Sequence, residues 1–226
     1  MALIKIRNVT KQYKSGDEIV QALRGVDITI QAGEFITIMG ESGSGKSTLL
    51  SILGGMNHPT SGEVEMAGIA LYRLPGEKLA DFRARNLGFV FQSFHLISYL
   101  TALENVMLPL AIVKMKTAAK RDAARQILEQ VGLGSKLHRL PNQLSGGEQE
   151  RVAIARAMIN KPHILLADEP TGNLDSGSSQ GVMRLFRKLN DAGQTVVMVT
   201  HNPGNGAYAD RTITLKDGEI MGSGKV

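Results

Sequence analysis

Gly40-Glu41-Ser42-Gly43-Ser44-Gly45-Lys46-Ser47-Thr48 has the form G-x-x-x-x-G-K-[ST] and follows Phe35-Ile36-Thr37-Ile38-Met39, a short apolar run of the kind that makes a buried strand. A strand, a glycine-rich turn and a helix in that order make a cradle for polyphosphate. Successive backbone N–H groups entering a helix N-terminus can surround an anion closely where side chains would collide. In such a cradle Lys46 places a point charge on the β- and γ-phosphates, and the Ser47 hydroxyl completes the coordination of a Mg2+ bridging them. Gly40, Ser42, Gly43, Ser44, Gly45 and Thr48 supply the turn and the helix start. The same letters can also do no more than cap a helix over residues 47–56, so the other polar residues have to choose between the two readings.

The bulk of the chain sets the frame for that choice. Its 226 residues make one large domain, or one domain with a subdomain, with 42% hydrophobic and 21% charged residues as in an ordinary soluble globular protein. The absence of cysteine excludes a disulfide framework and a cysteine metal site, and fits a reducing cytosol. The apolar stretch 96–115 is interrupted by Glu104, Asn105 and Pro109 and is not expected to span a bilayer. Residues 3–9 alternate apolar and polar with no long apolar core, so no signal peptide is expected. A net charge of +5 suits phosphate ligands or an anionic surface, but the basic residues are spread along the chain as on a solvated surface.

Three kinds of pattern follow one another. Residues 3–9 and 26–30 alternate with period two between turns near Ser15-Gly16-Asp17 and Ala32-Gly33, and 63–66 repeat the alternation before Gly68, which predicts a small antiparallel β subdomain. Past Pro75, helical spacing covers 76–85, 102–115 with Pro109 as a bend or break, and 117–131 with Thr117 as N-cap and Gly132 as stop. Near-continuous apolar runs then return at 163–168 and 195–201, the habit of parallel strands covered on both faces, with a helix over 176–192 between them and two short strands, 212–215 and 219–221, at the end.

Polar residues fall at the carboxyl ends of the expected core strands, where open α/β sheets place their ligands. Asp168-Glu169 closes one run: Asp168 can hold Mg2+ through its water shell, and Glu169 can orient or deprotonate an attacking water. His201 ends the next and can donate to a γ-phosphate and sense its loss. Gln92, after Phe89-Val90-Phe91, can ligate Mg2+ or water through its carbonyl. A further stretch, Leu144-Ser145-Gly146-Gly147-Glu148-Gln149-Glu150-Arg151, reads as a capping box between Ser145 and Glu148 ahead of an apolar helix face at Val152, Ala155, Met158 and Ile159. Ser145, Gly146 and Gly147 leave N–H groups and a positive dipole end with no acid in the first positions, which makes a second anion site. Two half-sites on one chain suggest two chains facing each other.

The order and spacing of these pieces resemble those of ATP-binding cassette (ABC) ATPases over essentially the whole chain. The Walker A motif at 40–47, Gln92, the LSGG signature at 144–147, the Walker B pair Asp168-Glu169, Asn173-Leu174-Asp175 and His201 carry the resemblance. More narrowly, Leu87-Gly88-Phe89-Val90-Phe91-Gln92, Thr101-Ala102-Leu103-Glu104-Asn105-Val106 and the stretch 167–175 look like the lipoprotein-releasing (LolD) and macrolide-exporter (MacB) group.

The resemblance implies an α/β fold: a P-loop NTPase core with a mostly parallel sheet, an antiparallel β subdomain and an inserted α-helical signature subdomain. It implies one nucleotide-binding domain over 1–226, with β subdomain and core at about 1–91 and 162–226 and the helical part at about 92–161. Its cofactors would be ATP and Mg2+. A second copy of the chain would pair head to tail, each ATP lying between the Walker residues of one chain and Ser145, Gly146 and Gly147 of the other. Tyr13 matches the aromatic that stacks on adenine, and Asp175 joins the loop that couples the two sites. The Gln92 loop and residues 94–103 would receive an integral membrane permease, a four-helix protein of the MacB/FtsX-like kind. The chain itself would sit peripherally on the cytoplasmic face of the inner membrane, and no nucleic-acid partner is implied. The rival within the family is a mechanotransmitting ATPase of the FtsE type, without transport. The sequence departs from the common pattern at Glu148, where many relatives have Gln, and at Asn202, where Asp is usual; Pro203-Gly204-Asn205-Gly206 makes the next turn look loose.

Overall fold

Strand β1 (Ala2–Ser15) and strand β2 (Glu18–Gln31) open the chain, and strand β3 (Phe35–Met39) leads through the glycine-rich turn into helix α1 (Lys46–Leu53) in a computed structural model that describes residues 2–16 and 18–225. Strands β4 (Ser61–Met66) and β5 (Ile69–Ala70) and helix α2 (Gly76–Asn86) come next, then strand β6 (Leu87–Phe91). The helices α3 (Ala102–Met107), α4 (Thr117–Gln130) and α5 (Gly146–Met158) separate β6 from strand β7 (Ile164–Asp168). Helix α6 (Ser176–Asp191), strand β8 (Thr195–Thr200), the single turn α7 (Pro203–Gly206) and strands β9 (Arg211–Lys216) and β10 (Glu219–Lys225) complete the described chain.

The strands form two sheets. One is four-stranded and antiparallel, in the order β2-β1-β4-β5; the other has the order β10-β9-β3-β8-β7-β6 and is parallel except for β10. Every residue of β8 is buried, as are the first four of β3 and of β7. That is why these segments read as continuous apolar runs and not as alternation. Two apolar clusters cover the six-stranded sheet. One joins it to α1 and to the inward positions of β1, β2 and β4, among them Ile4, Ile6, Ile28, Ile30, Leu49 and Leu53. The other packs Phe35, Val90, Leu165 and Met198 against α3, α4, α5 and α6 through Val106, Leu128, Val152, Ile154 and Phe186. Burying each such side chain contributes about 1.5–3 kcal/mol before the cost of ordering the chain is set against it.

The register matters most for function. Met39 lies opposite Thr200, Val199 opposite Asp168, and Asp168 opposite Phe91. The residues that follow these strand ends therefore emerge along one edge: the glycine-rich turn, His201, Glu169 and Gln92.

Several boundaries differ from the sequence reading, each for a physical reason. The hairpin strands β1 and β2 have 14 residues each and run well past the alternating segments. Their tip turns at Gly16, φ 61°, while Asp17 lies outside the described residues. Helix α1 begins at Lys46 and stops at Leu53, short of residue 56, because Gly54 and a left-handed Gly55 (φ 63°) end it. The helix expected over 102–115 ends at Met107 and tightens into a 3-10 turn, Leu108–Ile112, around Pro109, which has no N–H to donate. Its start is a capping box between Thr101 and Glu104. Thr117 is the first helical residue of α4 and not its cap; Lys116 occupies the cap position without a side-chain bond. Residues 203–206 are a helical turn and not a loose loop, since Asn202 caps Gly204 and buried Asn205 donates to the hydroxyls of Thr171 (2.9 Å) and Thr200 (3.1 Å).

Candidate nucleotide site

In the turn that follows β3, Gly45 holds the N-cap position of α1 in a left-handed conformation, φ 103°. A Cβ there would lie 2.4 Å from the carbonyl oxygen of Ala22 on β2, so the cradle is pinned against the antiparallel sheet by a contact only glycine permits. Gly40 is equally confined, its notional Cβ 2.1 Å from the Leu215 carbonyl oxygen. Lys46 is buried, and its ammonium donates to the carbonyls of Gly40 and Glu41, both at 2.7 Å. The lysine is thus folded over the mouth of its own loop, holding a positive charge where an anion would enter. The Ser44 hydroxyl is buried with no hydrogen-bond partner among the described residues.

Across the strand ends, the Ser47 hydroxyl donates to Oδ1 of Asp168 at 3.3 Å. Burial raises the Asp168 carboxyl above its ordinary value and neighbouring Glu169 adds to this, while the bond from Ser47 and the Lys46 charge oppose it. Glu169 sits at φ 46°, an uncommon conformation for a non-glycine residue, held by its own N–H donating to the Val199 carbonyl at 3.0 Å. Its carboxylate takes two bonds from His201: from the ring Nδ1 at 2.9 Å and from the main-chain N–H at 3.2 Å.

A cavity of about 620 Å3 gathers these groups: Ser42, Gly43, Gly45, Lys46, Ser47, Thr48, Gln92, Glu169 and His201 line it, with Ala22 and Glu41. A second, polar cavity of about 440 Å3, lined by Thr171, Ser176, Ser179 and Asn202 among others, opens on the other side of Glu169 and His201. The set fits a polyphosphate with a hard cation: the backbone N–H groups of the turn, one ammonium, and a Ser–Asp pair of oxygen ligands.

Not every expected residue meets at this cavity. Gly40 and Ser44 shape the loop from behind it, and Asp168 reaches it only through Ser47. Tyr13 lies on β1, two-fifths exposed, with Lys11 over its ring at 5.0 Å. Ser145, Gly146 and Gly147 form the N-terminus of α5 and pack on the following loop of their own chain: a Cβ on Gly146 would meet Leu174 at 3.1 Å and one on Gly147 would meet Ser178 at 3.0 Å. The capping box is present, with the Ser145 N–H donating to Glu148 at 3.0 Å. The first turn is not free of acid, as the two leading glycines suggested, since Glu148 lies in it. That carboxylate is held by Lys136 and by Ser145, which depress its pKa. Asp175 caps α6 by accepting from the Ser178 N–H at 3.0 Å; that bond with its neighbours lowers its carboxyl, and it stays outside the cavity.

Three contributors had no role in the site on the sequence alone. Ala22 closes one wall of the cavity from a different sheet, which no local pattern reveals. Buried Asn105 accepts from the Ile97 N–H at 2.8 Å and donates to the carbonyls of Ile97, Leu100 and Thr101, bracing the segment beyond Gln92. Arg156 of α5 donates to the carbonyls of Phe94 and His95 in the same segment. A lone Asn in a helical pattern was the available signal for the first of these two.

The model of the ABC transporter family matches residues 23–172. The ABC transporter ATP-binding protein YvrO of Bacillus subtilis is 46% identical over 219 residues, covering 97% of this chain and 96% of that protein. The macrolide export ATP-binding/permease protein MacB of Rhodopirellula baltica is 47% identical over 222 residues, 96% of this chain, which spans only 32% of that relative's length. Among solved structures, the dimeric post-hydrolysis state of the ATP-binding cassette MJ0796 from Methanocaldococcus jannaschii, bound to ADP and Pi, superposes with a TM-score of 0.90 at 47% identity, covering 99% of this chain and 98% of that one. The chain belongs to the ABC transporter family and is one of its ATP-binding cassettes.

Proposed function

We propose that this ATPase drives a separate membrane permease by closing on a second copy of itself around ATP and reopening after hydrolysis. The observation that carries this is the single cavity in which Lys46, Ser47, Glu169 and His201 meet. In it Lys46 exchanges its two loop carbonyls for phosphate oxygens, while the backbone N–H groups of residues 42–48 surround the anion. Mg2+, when bound, neutralises developing charge on the phosphates; Ser47 and Gln92 would ligate it and Asp168 would hold its water shell. Glu169 takes a proton from, or orients, the attacking water, and His201 fixes the carboxylate while presenting its other ring nitrogen to the γ-phosphate side.

The head-to-tail arrangement is supported by an incompleteness. Ser145, Gly146 and Gly147 start α5 but do not line their own chain's cavity, so they are available to a partner's nucleotide, through the Gly146 and Gly147 N–H groups that the Glu148 cap does not engage, with Asp175 on the adjoining helix start. Tyr13 stacks on the base. The cassette forms one domain, with the helical subdomain at about 92–161.

The permease reading rests on a groove of about 620 Å3 on another face, lined by Met56, Phe89, Phe91, His95, Leu108 and Ile112. Ile112 is 70% exposed, and apolar surface of this kind marks a protein contact. Among the described residues no helix is long and apolar enough to cross a membrane. A MacB-like or LolD-like system, peripheral on the cytoplasmic face and exporting or extracting lipoprotein, peptide or drug-like cargo, accounts for both features. The test is to purify the tagged chain from detergent-solubilised native membranes and identify what comes with it. A four-helix permease with a large extracytoplasmic domain supports the reading; a many-helix permease or a soluble partner overturns it.

A further inference from the structure

We propose that Arg156 is a positioning residue for ATP hydrolysis, holding Gln92 in the nucleotide cavity by pinning the loop that follows it. The inference rests on the role given to Gln92 above. Gln92 leaves the end of β6, and its side chain lies against Gly172, where a Cβ would come within 2.7 Å of its Nε2. Its main-chain carbonyl accepts from the Asn173 side-chain amide at 3.0 Å. The next residues turn sharply: Phe94 and His95 both have left-handed backbones, φ 57° and 48°. Neither is glycine, and two consecutive residues in that region persist only when surrounding bonds hold them there.

Arg156 supplies those bonds. One guanidinium nitrogen donates to the Phe94 carbonyl at 2.7 Å and the other to the His95 carbonyl at 2.5 Å. A planar fork across two successive carbonyls fixes their direction as well as their place, which a single ammonium does not do. The fork is presented from α5, whose inner side is clamped on β6: a Cβ on Gly88 would lie 2.5 Å from the Ala157 carbonyl oxygen. So the donor stands on a rigid element and the acceptors on a strained one.

The charge arrangement agrees. Glu150, on the same helix, is wholly buried with neither carboxyl oxygen partnered among the described residues, and burial pushes it up to about 9. It is a neutral acid at pH 7 and provides no competing anion. Further along, Asn105 ties residues 97–101, so the stretch after Gln92 is held at two points.

The experiment compares Arg156→Gln, Arg156→Lys, Gln92→Ala and the Arg156→Gln/Gln92→Ala double variant in the full chain, by amide exchange of residues 93–97 and by ATP turnover. For Arg156→Gln the expected result is exchange in that loop faster by about tenfold or more and kcat lower by about tenfold with KM for ATP within about twofold; the double variant should be no slower than the slower single one. Arg156→Lys, which keeps the charge and one donor point, should recover part of both and guards against a folding defect in the Gln variant. Unchanged loop exchange overturns the proposal, and so does wild-type kcat with a loosened loop. If Gln92→Ala is slow while Arg156→Gln is not, only the positioning role is lost. If Gln92→Ala itself turns over ATP like the wild type, the assignment of Gln92 fails and the positioning role goes with it.

Discussion

Nδ1 of His201 lies 2.9 Å from Oε1 of Glu169, and the His201 main-chain N–H reaches the other oxygen of the same carboxylate at 3.2 Å. The two residues follow adjacent parallel strands, and Glu169 in turn donates its own N–H to Val199 at 3.0 Å. A carboxylate held through both oxygens has a fixed direction, and the bond through Nδ1 leaves Nε2 as the ring nitrogen offered to the cavity. Geometry of this kind lets one group handle the water while the other meets the phosphate.

Glu169→Gln is expected to bind ATP and accumulate the closed dimer while turnover falls by about 10²–10⁴, the usual worth of a general base. Gel filtration with and without ATP reads the dimer, and phosphate release reads the rate. Equal turnover in variant and wild type removes Glu169 from that role.

His201→Ala should also slow kcat, by about tenfold or more, but its effect should not add to that of Glu169→Gln, because the histidine acts partly through the carboxylate it touches. A double-variant cycle on kcat gives the coupling directly. Full additivity would mean that the contact has no part in the chemistry.

Lys46→Ala removes an ammonium that now braces Gly40 and Glu41 and would otherwise contact phosphates. Charge-assisted hydrogen bonds contribute about 1.5–3 kcal/mol each, so the Kd for ATP should rise about ten- to a hundredfold. Isothermal titration measures it, and an unchanged Kd refutes the assignment.

What was legible in the chain was local. The cradle, the strands ending at Asp168 and Thr200, and the Ser145 cap are each written in a few consecutive residues whose spacing has one physical meaning. Boundaries set by competition were harder to see. Pro109 was visible as a breaker, yet only packing decides that α3 stops at Met107 and continues as a tighter turn. Arg156, Ala22 and Glu150 gave no signal because their roles depend on partners far away in the chain: Phe94 and His95, Gly45, and the core around α5. Ser145 to Gly147 were legible as a capped helix start, but the Leu174 and Ser178 side chains they pack on belong to a separate segment that no local pattern connects to them.

Gly45→Ala should destabilise the fold as well as the site. The residue sits at φ 103° with a notional Cβ 2.4 Å from the Ala22 carbonyl oxygen, so alanine meets both backbone strain and a clash between the two sheets. A loss of about 2–4 kcal/mol is expected, read as a lower urea midpoint at unchanged slope. A midpoint within error of the wild type would show that the hairpin can retreat from the cradle at no cost.

Glu150 links stability to pH. Burial raises its carboxyl from an ordinary value near 4.5 to about 9, with the nearby Arg156 charge pulling the other way. Between those values the folded chain holds a proton on Glu150 that the unfolded chain has released. The stabilisation is therefore complete below about 4.5 and is lost as pH rises towards 9. Its slope is at most about 1.4 kcal/mol per pH unit, since one proton is involved. Glu150→Gln keeps the shape of the neutral acid and cannot ionise, so its own stability should lack this component. Urea unfolding of wild type and variant at intervals from pH 5 to pH 9 isolates the effect, because every other titrating group is common to both. The variant should gain steadily on the wild type as pH rises, and parallel curves would mean that Glu150 is charged, or solvated, in the folded protein.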